Sequence, residues 1–108
     1  NYKVKPFLLT NGERKMRIKK WNYGNYSSDN YGSHTQAFTD SYGNDYYFSY
    51  NTLVAVETNA GDLFIRKNVW GQTTGKHLNW INPDHSIRLS SSEFEDAINK
   101  LNLQLEVA

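Results

Sequence analysis

The sequence predicts an α+β domain: an antiparallel sheet of about five strands packed against one C-terminal amphipathic helix. Three observations carry that prediction. Short apolar and β-branched runs alternate with turn formers from Tyr2 to Trp70. Thr52 to Thr58 is rich in β-branched residues and bounded by polar ones, the clearest strand in the chain. Finally, Phe94, Ala97, Ile98 and Leu101 recur at i, i+3, i+4 and i+7, the spacing of one helical face.

Tyr2 to Leu9 reads as a first strand, and Pro6 within it favours a sheet edge because proline cannot donate to a ladder. Asn11-Gly12 is a strong hairpin signal, so Glu13 to Trp21 is expected to return as a second strand. There Met16 and Ile18 mark the inner side, and Lys15, Arg17 and Lys19 form a solvent-facing basic row. Asn22 to His34 holds turn formers without apolar period and reads as loop. Gln36 to Asp40 is a short strand, residues 42–45 are a turn, and Tyr46 to Tyr50 is a strand. Residues 59–62 form a hairpin loop. Leu63 to Trp70 then returns antiparallel, with Phe64 on one face and Leu63 and Ile65 on the other. His77 to Ile81 has room for a short helix that stops before Pro83. Asp84 to Arg88 is a connector or a brief strand. The final helix opens on a capping box, Ser92 with Glu95, Ser90 with Glu93 being the other register. Its first-turn acids and Lys100 suit the helix dipole. Leu101, Leu103, Leu105 and Val107 alternate, so the chain ends either as a strand or as a continuation of the helix. Residues 1–108 are read as a single domain.

Composition narrows the function. With 108 residues there is room for a modest core, and a catalytic domain with its own cofactor site would be cramped. The absence of cysteine excludes disulfides and cysteine-rich zinc sites. No apolar run approaches the ~20 residues that span a bilayer, and the opening Asn-Tyr-Lys-Val-Lys lacks a signal-peptide core. Net charge is +1, but it is unevenly spread. Residues 1–21 hold seven basic side chains against Glu13 alone, and the rest holds five basic against ten acidic. A basic first fifth suggests an anionic partner. Lysines that blunt an exposed edge strand would look the same.

No constellation points to catalysis. Gly71 to His77 looks like a phosphate loop, but that loop needs four residues between its glycines and Ser or Thr after Lys. Here three intervene and His77 follows Lys76. A tight turn whose threonine hydroxyls cap the next segment accounts for it. His34, His77 and His85 have no ligand spacing, Asp84-His85 reads as surface loop, and Glu93, Glu95 and Asp96 are helix N-terminal charge. We therefore expect a non-enzymatic protein without cofactor or metal.

Residues 22–50 are the most informative. Asn, Tyr, Gly and Ser supply 19 of 29 positions, and seven of the eight tyrosines lie there. Tyrosine offers contact area at low entropy cost, and Ser, Gly and Asn offer adaptable hydrogen bonds, as in antibody loops. Aromatic rings also stack unpaired bases. Core packing of Tyr46, Phe48 and Tyr50 is the plainer account for part of the segment. Of Trp21, Trp70 and Trp80, two are expected in the core and one exposed. The candidate partner-binding residues are Arg14, Lys15, Arg17, Lys19 and Lys20 on the basic strand, Tyr23, Tyr26, Tyr31 and Tyr42 in the tyrosine-rich segment, and Lys76.

Two stretches in order, Ser49-Tyr50-Asn51-Thr52-Leu53-Val54-Ala55 and Thr73-Thr74-Gly75-Lys76-His77, carry a resemblance over residues 46–82. They resemble an uncharacterised family of small proteins from bacteriophages and prophages of Gram-positive bacteria. Its members share Ser-Tyr-x-Thr-x-Val-Ala, then an aromatic residue, then Thr-Thr-x-Lys-His. The resemblance implies a phage origin and action in the bacterial cytoplasm, and it carries no catalytic residue. Small phage proteins without enzymatic machinery often act by occupying a host protein or nucleoprotein complex, including defence nucleases such as CRISPR effectors, and the resemblance and the size together imply that mode here. An inhibitor of that type is the first expectation. A direct nucleic-acid binder and a self-associating phage accessory protein are the alternatives, as monomer or homodimer and without a membrane partner.

Overall fold

The computed structural model describes residues 2–4, 9–10, 14–15, 18–24, 34–101, 103 and 105–107, with the backbone alone for Leu9, Thr10, Arg14, Lys15 and Val107. In chain order the strands are β1 (Tyr2–Val4), β2 (Leu9–Thr10), β3 (Arg14–Lys15), β4 (Lys19–Asn22), β5 (Gln36–Thr39), β6 (Asp45–Ser49), β7 (Thr52–Glu57) and β8 (Leu63–Arg66). Helix α1 (Gln72–Ile81) follows, then a 3₁₀ turn (His85–Ile87), β9 (Arg88–Leu89), α2 (Ser91–Asn99) and β10 (Leu105–Val107). Strands β4 to β9 form one sheet in sequence order, antiparallel except for the parallel β8–β9 pair. Two small antiparallel pairs, β1–β10 and β2–β3, lie outside it.

The α+β prediction holds, with a six-stranded main sheet in place of about five and a second helix on its other face. Ile65 and Arg66 are adjacent on β8 and so point to opposite faces. Ile65 packs with Leu78 of α1, whereas the Arg66 guanidinium lies 5.0 Å over the Phe94 ring of α2. The α2 side is the larger core: Tyr46, Phe48, Leu53, Val56, Phe94 and Ile98, closed by Tyr2, Val4, Leu103 and Leu105. The chain after α2 thus ends as a strand that pairs with β1. Among the described residues no helix is long and apolar enough to cross a membrane.

Several expectations are corrected. Of the strand expected from Glu13 to Trp21, Arg14–Lys15 and Lys19–Trp21 belong to different sheets, β3 and β4, so Lys15 and Lys19 do not share one strand. Lys19 and Lys20 are both exposed and point to opposite faces of β4, the end strand of the main sheet. That is where charged side chains discourage edge pairing. Residues 11–13, with Asn11-Gly12, lie outside the described residues, as do Pro6, Met16 and Arg17. The α2 cap is Ser90, not Ser92: its hydroxyl accepts from Glu93 N–H while Glu93 accepts from Ser90 N–H. The Ser90 N–H, with the Ser90 hydroxyl beside it, holds the Glu93 carboxyl below the usual carboxylate range. The Thr-Thr segment is not a turn. Gly71 is an uncapped N-cap, and Thr73 and Thr74 lie in the first turn of a ten-residue helix. Asp84 to Arg88 resolves into the 3₁₀ turn and the start of β9.

The run Leu53 to Val56 is buried throughout, where a half-buried strand would alternate. The cause is that both faces of β7 are covered, one by the α1 core and the other by the α2 core, and a β-bulge sets which residue faces which. Tyr47 pairs with Ala55 but Phe48 pairs with Leu53, leaving Val54 as the extra residue. Val54 and Ala55 then both join the α1 core, while Leu53 and Val56 join the α2 core.

Candidate functional site

The strand registers build a row across the α1 face of the whole sheet: Trp21, Ala37, Tyr47, Ala55, Ile65 and Arg88. Two small alanines leave space between large side chains. Trp21 and Tyr23 meet the Tyr47 ring edge to face, with centroids 5.7 Å and 5.3 Å away. Burial, with the Asp45 and Glu57 carboxylates, pushes the Tyr47 phenol up to about 12. Trp21 Nε1 donates to Thr39 Oγ1 and Thr39 donates to Asp45, which fixes the outer end of this face. At the far side Arg88 donates to Asn79 Oδ1 and to the Asn82 carbonyl, tying down the C-terminal end of α1.

Between these anchors the two sequence stretches meet. Ser49, last residue of β6, is 2% exposed. Its Oγ lies 2.7 Å from His77 Nδ1 and 3.1 Å from Thr74 Oγ1, both on α1. His77 is fully buried, and burial with the nearby His34 holds its pKa below the ordinary value. The depressed pKa favours the neutral ring, and Ser49 Oγ bridges His77 Nδ1 and Thr74 Oγ1, the imidazole tautomer setting the direction of the bonds. A Ser–His pair invites an acyl-transfer reading. Here neither group is open to a substrate, and the hydroxyl is already shared with Thr74, so the pair acts as a hinge pin between hairpin and helix.

The next residue carries the site. Ser49 and Thr52 pair, so Tyr50-Asn51 is a two-residue hairpin loop. Such loops need positive φ, which Gly or Asn usually supplies. Tyr50 supplies it here, at φ 56, alone among the described non-glycine residues. A bulky side chain there is strained by about 1–3 kcal/mol. Tyr50 is 44% exposed. Tyr50 N–H donates to the His34 carbonyl, and its ring stacks on His34 at 4.3 Å. It lies 5.7 Å from His77 at a 36° tilt, and Trp80 stacks on His77 at 5.5 Å and 18°. Trp80 is 38% exposed. The result is a continuous set of four rings, neutral at its buried member, with Tyr50 and Trp80 presented to solvent.

Of the predicted site residues, Lys76 lies exposed on α1, one turn before Trp80 and on the same side. Tyr23 is half-buried, donates to the Phe48 carbonyl and meets His77 edge to face at 6.5 Å, so it braces the site. Tyr42 is exposed at the opposite end of β6, beside a shallow depression of about 470 Å³ lined by Asn59, Asp62, Leu101 and Leu103. The structure does not bring it to the ring set. Lys19 and Lys20 are on the edge strand, Arg14 and Lys15 on β3, and Arg17, Tyr26 and Tyr31 lie outside the described residues. Sequence reasoning missed Tyr50, His34, His77 and Trp80 as a unit. It also expected one exposed tryptophan, whereas Trp70 and Trp80 are both exposed and Trp21 is half-buried. The available signal was the Tyr50-Asn51 pair between two strands, which is turn chemistry with an aromatic in place of glycine.

Fold and site together define a small α+β domain with a braced aromatic surface at one hairpin and one helix. Residues 16–96 match a family of unknown function, DUF8033, and the chain belongs to that family. The matched region includes the whole ring set and ends within α2. No curated protein and no solved structure matches the chain. Among the described residues no group of three or more His, Cys, Asp or Glu side chains is placed to hold a metal ion.

A pH dependence follows from His77. Its depressed pKa means that the unfolded chain takes up the proton first. The stability it contributes is complete above about pH 6.5 and is lost as pH falls below that value toward the folded-state pKa. The urea midpoint is expected to drop on acidification from pH 7 to pH 5. His77→Asn, which keeps an acceptor near the Nδ1 position, should flatten the drop; an equally steep profile in that variant would show that other groups cause it.

Proposed function

We propose that this chain is a non-enzymatic, phage-type binding domain that occupies a host protein or nucleoprotein complex and inhibits it, in the manner of an anti-defence or anti-CRISPR protein. The contact surface is centred on Tyr50 and Trp80. One observation supports this most: a tyrosine held in left-handed backbone, exposed, and braced from behind by a stack of rings. Folding alone would place glycine or asparagine in that turn. Strain retained at an exposed aromatic is the pattern of a functional clamp. Exposed Tyr and Trp on rigid support are the residues that dominate interface energies. The phage setting and the host target rest on the resemblance of the two stretches that meet at Ser49 and His77.

The test is affinity capture from bacterial host lysate with the tagged protein and with a Tyr50→Ala/Trp80→Ala double variant, each with and without nuclease. One complex enriched by the parent protein, retained after nuclease and lost from the double variant is the expected result. Enrichment that the double variant preserves would place the contact elsewhere. Material that vanishes on nuclease treatment would make free nucleic acid the partner and would count against inhibition of a complex.

A further inference from the structure

We infer that the hairpin end of the sheet is a docking surface for an acidic protein segment, in which Arg66, edged by Val69 and Trp70, takes a carboxylate of the partner. The inference extends the Tyr50–Trp80 contact surface and rests on that reading for the partner being a protein. Strand β8 runs antiparallel to β7, so it ends beside the start of β7, next to the Tyr50–Asn51 hairpin. Val69 and Trp70 follow β8 at that end, and both are exposed. With Tyr50 and Trp80 they make up four of the five exposed large hydrophobic residues among those described, Tyr42 standing at the opposite end. Exposed apolar side chains gathered in one place mark a contact surface. The loop that carries Val69 and Trp70 is held at both ends. Lys67 N–H donates to the Leu89 carbonyl, Trp70 N–H to Asn68 Oδ1, and Asn68 Nδ2 to the Gly71 carbonyl.

Arg66 supplies the selectivity. It is 8% exposed, and its guanidinium lies over the Phe94 ring at 5.0 Å and the Trp70 ring at 5.6 Å. Nη1 donates to the Leu53 carbonyl. Nε is buried without an acceptor, and Nη2 has none among the described residues. Nε and Nη2 share one edge of the guanidinium, an edge that a carboxylate grips with two parallel hydrogen bonds. A buried charge ordinarily has a partner, yet among the described residues the one ion pair is Lys3 with Glu106. Glu93, at the start of α2, lies within electrostatic reach of Lys67 and is held by Ser90 N–H. Residues 46–56 and 66–82 contain Arg66, Lys67 and Lys76 and no Asp or Glu, so this end of the sheet favours an acidic partner. Folding has already stripped water from Arg66, so an incoming carboxylate adds hydrogen bonds without repeating that cost on the cation. A single recessed cation suits one carboxylate at the tip of a side chain. A phosphate backbone draws on several cations at the surface.

The test is proton–nitrogen NMR of the parent protein titrated with a blocked acidic peptide, acetyl-Leu-Glu-Leu-Glu-amide, with its glutamine counterpart, and with oligothymidylate. The glutamate peptide is expected to shift the Arg66 Nε–H and Trp70 Nε1–H signals and to bind about 10- to 150-fold more tightly than the glutamine peptide, the range of a hydrogen bond to a charged group. That comparison needs no variant. Arg66→Met keeps an unbranched chain against the two rings and removes the charge, so it should bind the two peptides alike while its urea midpoint stays at or above that of the parent. Arg66→Lys keeps the charge but not the planar edge, and should lose most of the preference for glutamate. Equal binding of the two peptides to the parent, shifts confined to Lys67 and Lys76, or a preference unchanged in Arg66→Met would overturn the inference. Oligothymidylate moving the same two signals at lower concentration than the glutamate peptide would make the surface one for nucleic acid and would also overturn it. If capture from host lysate needs Tyr50 and Trp80 but is indifferent to Arg66→Met, the contact surface stands and the carboxylate site falls. If capture is indifferent to all three, both readings fall.

Discussion

Tyr50→Gly is expected to weaken partner binding at least about ten-fold, a typical cost for losing an aromatic anchor, while leaving stability within about 1 kcal/mol of the parent. Two terms nearly cancel in the free protein. Glycine relieves the cost of a bulky residue in the left-handed region, about 1–3 kcal/mol. It also loses the stacking of Tyr50 on His34, and the contact with His77, worth about 0.5–1.5 kcal/mol. Glycine's own chain entropy takes back a further fraction, roughly 0.5–1 kcal/mol. Urea denaturation and binding measured on the same preparation separate the two effects. A large loss of stability would mean that the ring is a core element. Unchanged binding would mean that its exposure has no use.

Phe94→Ala should have the largest effect on the fold. Phe94 is fully buried at the centre of the α2 core, against Tyr46, Phe48, Leu53, Val56 and Ile98. Truncating a buried Phe costs about 3–5 kcal/mol, through lost burial and the cavity left behind. There is a second cost. The Arg66 guanidinium lies over the Phe94 ring, is 8% exposed, and donates to the Leu53 carbonyl. Without the ring that buried cation keeps the Trp70 face at 5.6 Å and loses its better-packed neighbour. In a domain of this size each kcal/mol lowers Tm by about 4–8 °C, so a fall of about 15–30 °C is expected by calorimetry. A fall of only a few degrees would show that α2 is not docked as described.

The fold was largely legible where local chemistry and tertiary demand agree. The α2 helix could be read from its period and capping box, and the strands at 36–40, 46–50 and 52–58 from their β-branched and aromatic content; the one read from Leu63 to Trp70 ends at Arg66. What was lost depended on long-range partners. The helix from Gln72 to Ile81 contains Thr73, Thr74 and Gly75, all weak helix formers. It is held by packing of Leu78 on Ile65 and by Ser49, neither of which propensity can show. The unbroken apolar run Leu53 to Val56 records burial on both faces, and the bulge at Val54 left no trace of its own. That Arg14–Lys15 and Lys19–Asn22 belong to different sheets had no clear signal in a stretch where basic and apolar residues alternate.

The site followed the same logic. Lys76 and Tyr23 were singled out from sequence, and both lie at or beside the ring set. Tyr42 was chosen for its composition and stands at the other end of β6. His77 was set aside because no neighbour in sequence gave it a role. Its partners are Ser49 and Tyr50, 28 and 27 positions away, brought to it by one hairpin and one helix. The resemblance placed the two stretches in order, and the hydrogen bonds at Ser49 explain physically why they would travel together.

Site-specific photo-crosslinking in bacterial cells that express the protein tests the central claim most directly, with Trp80→p-benzoylphenylalanine on the ring surface and Glu95→p-benzoylphenylalanine on the exposed side of α2 as the control. The account predicts a discrete covalent adduct from position 80 and none from position 95. An adduct from position 95 alone, or equal adducts from both, would contradict a contact surface at Tyr50 and Trp80.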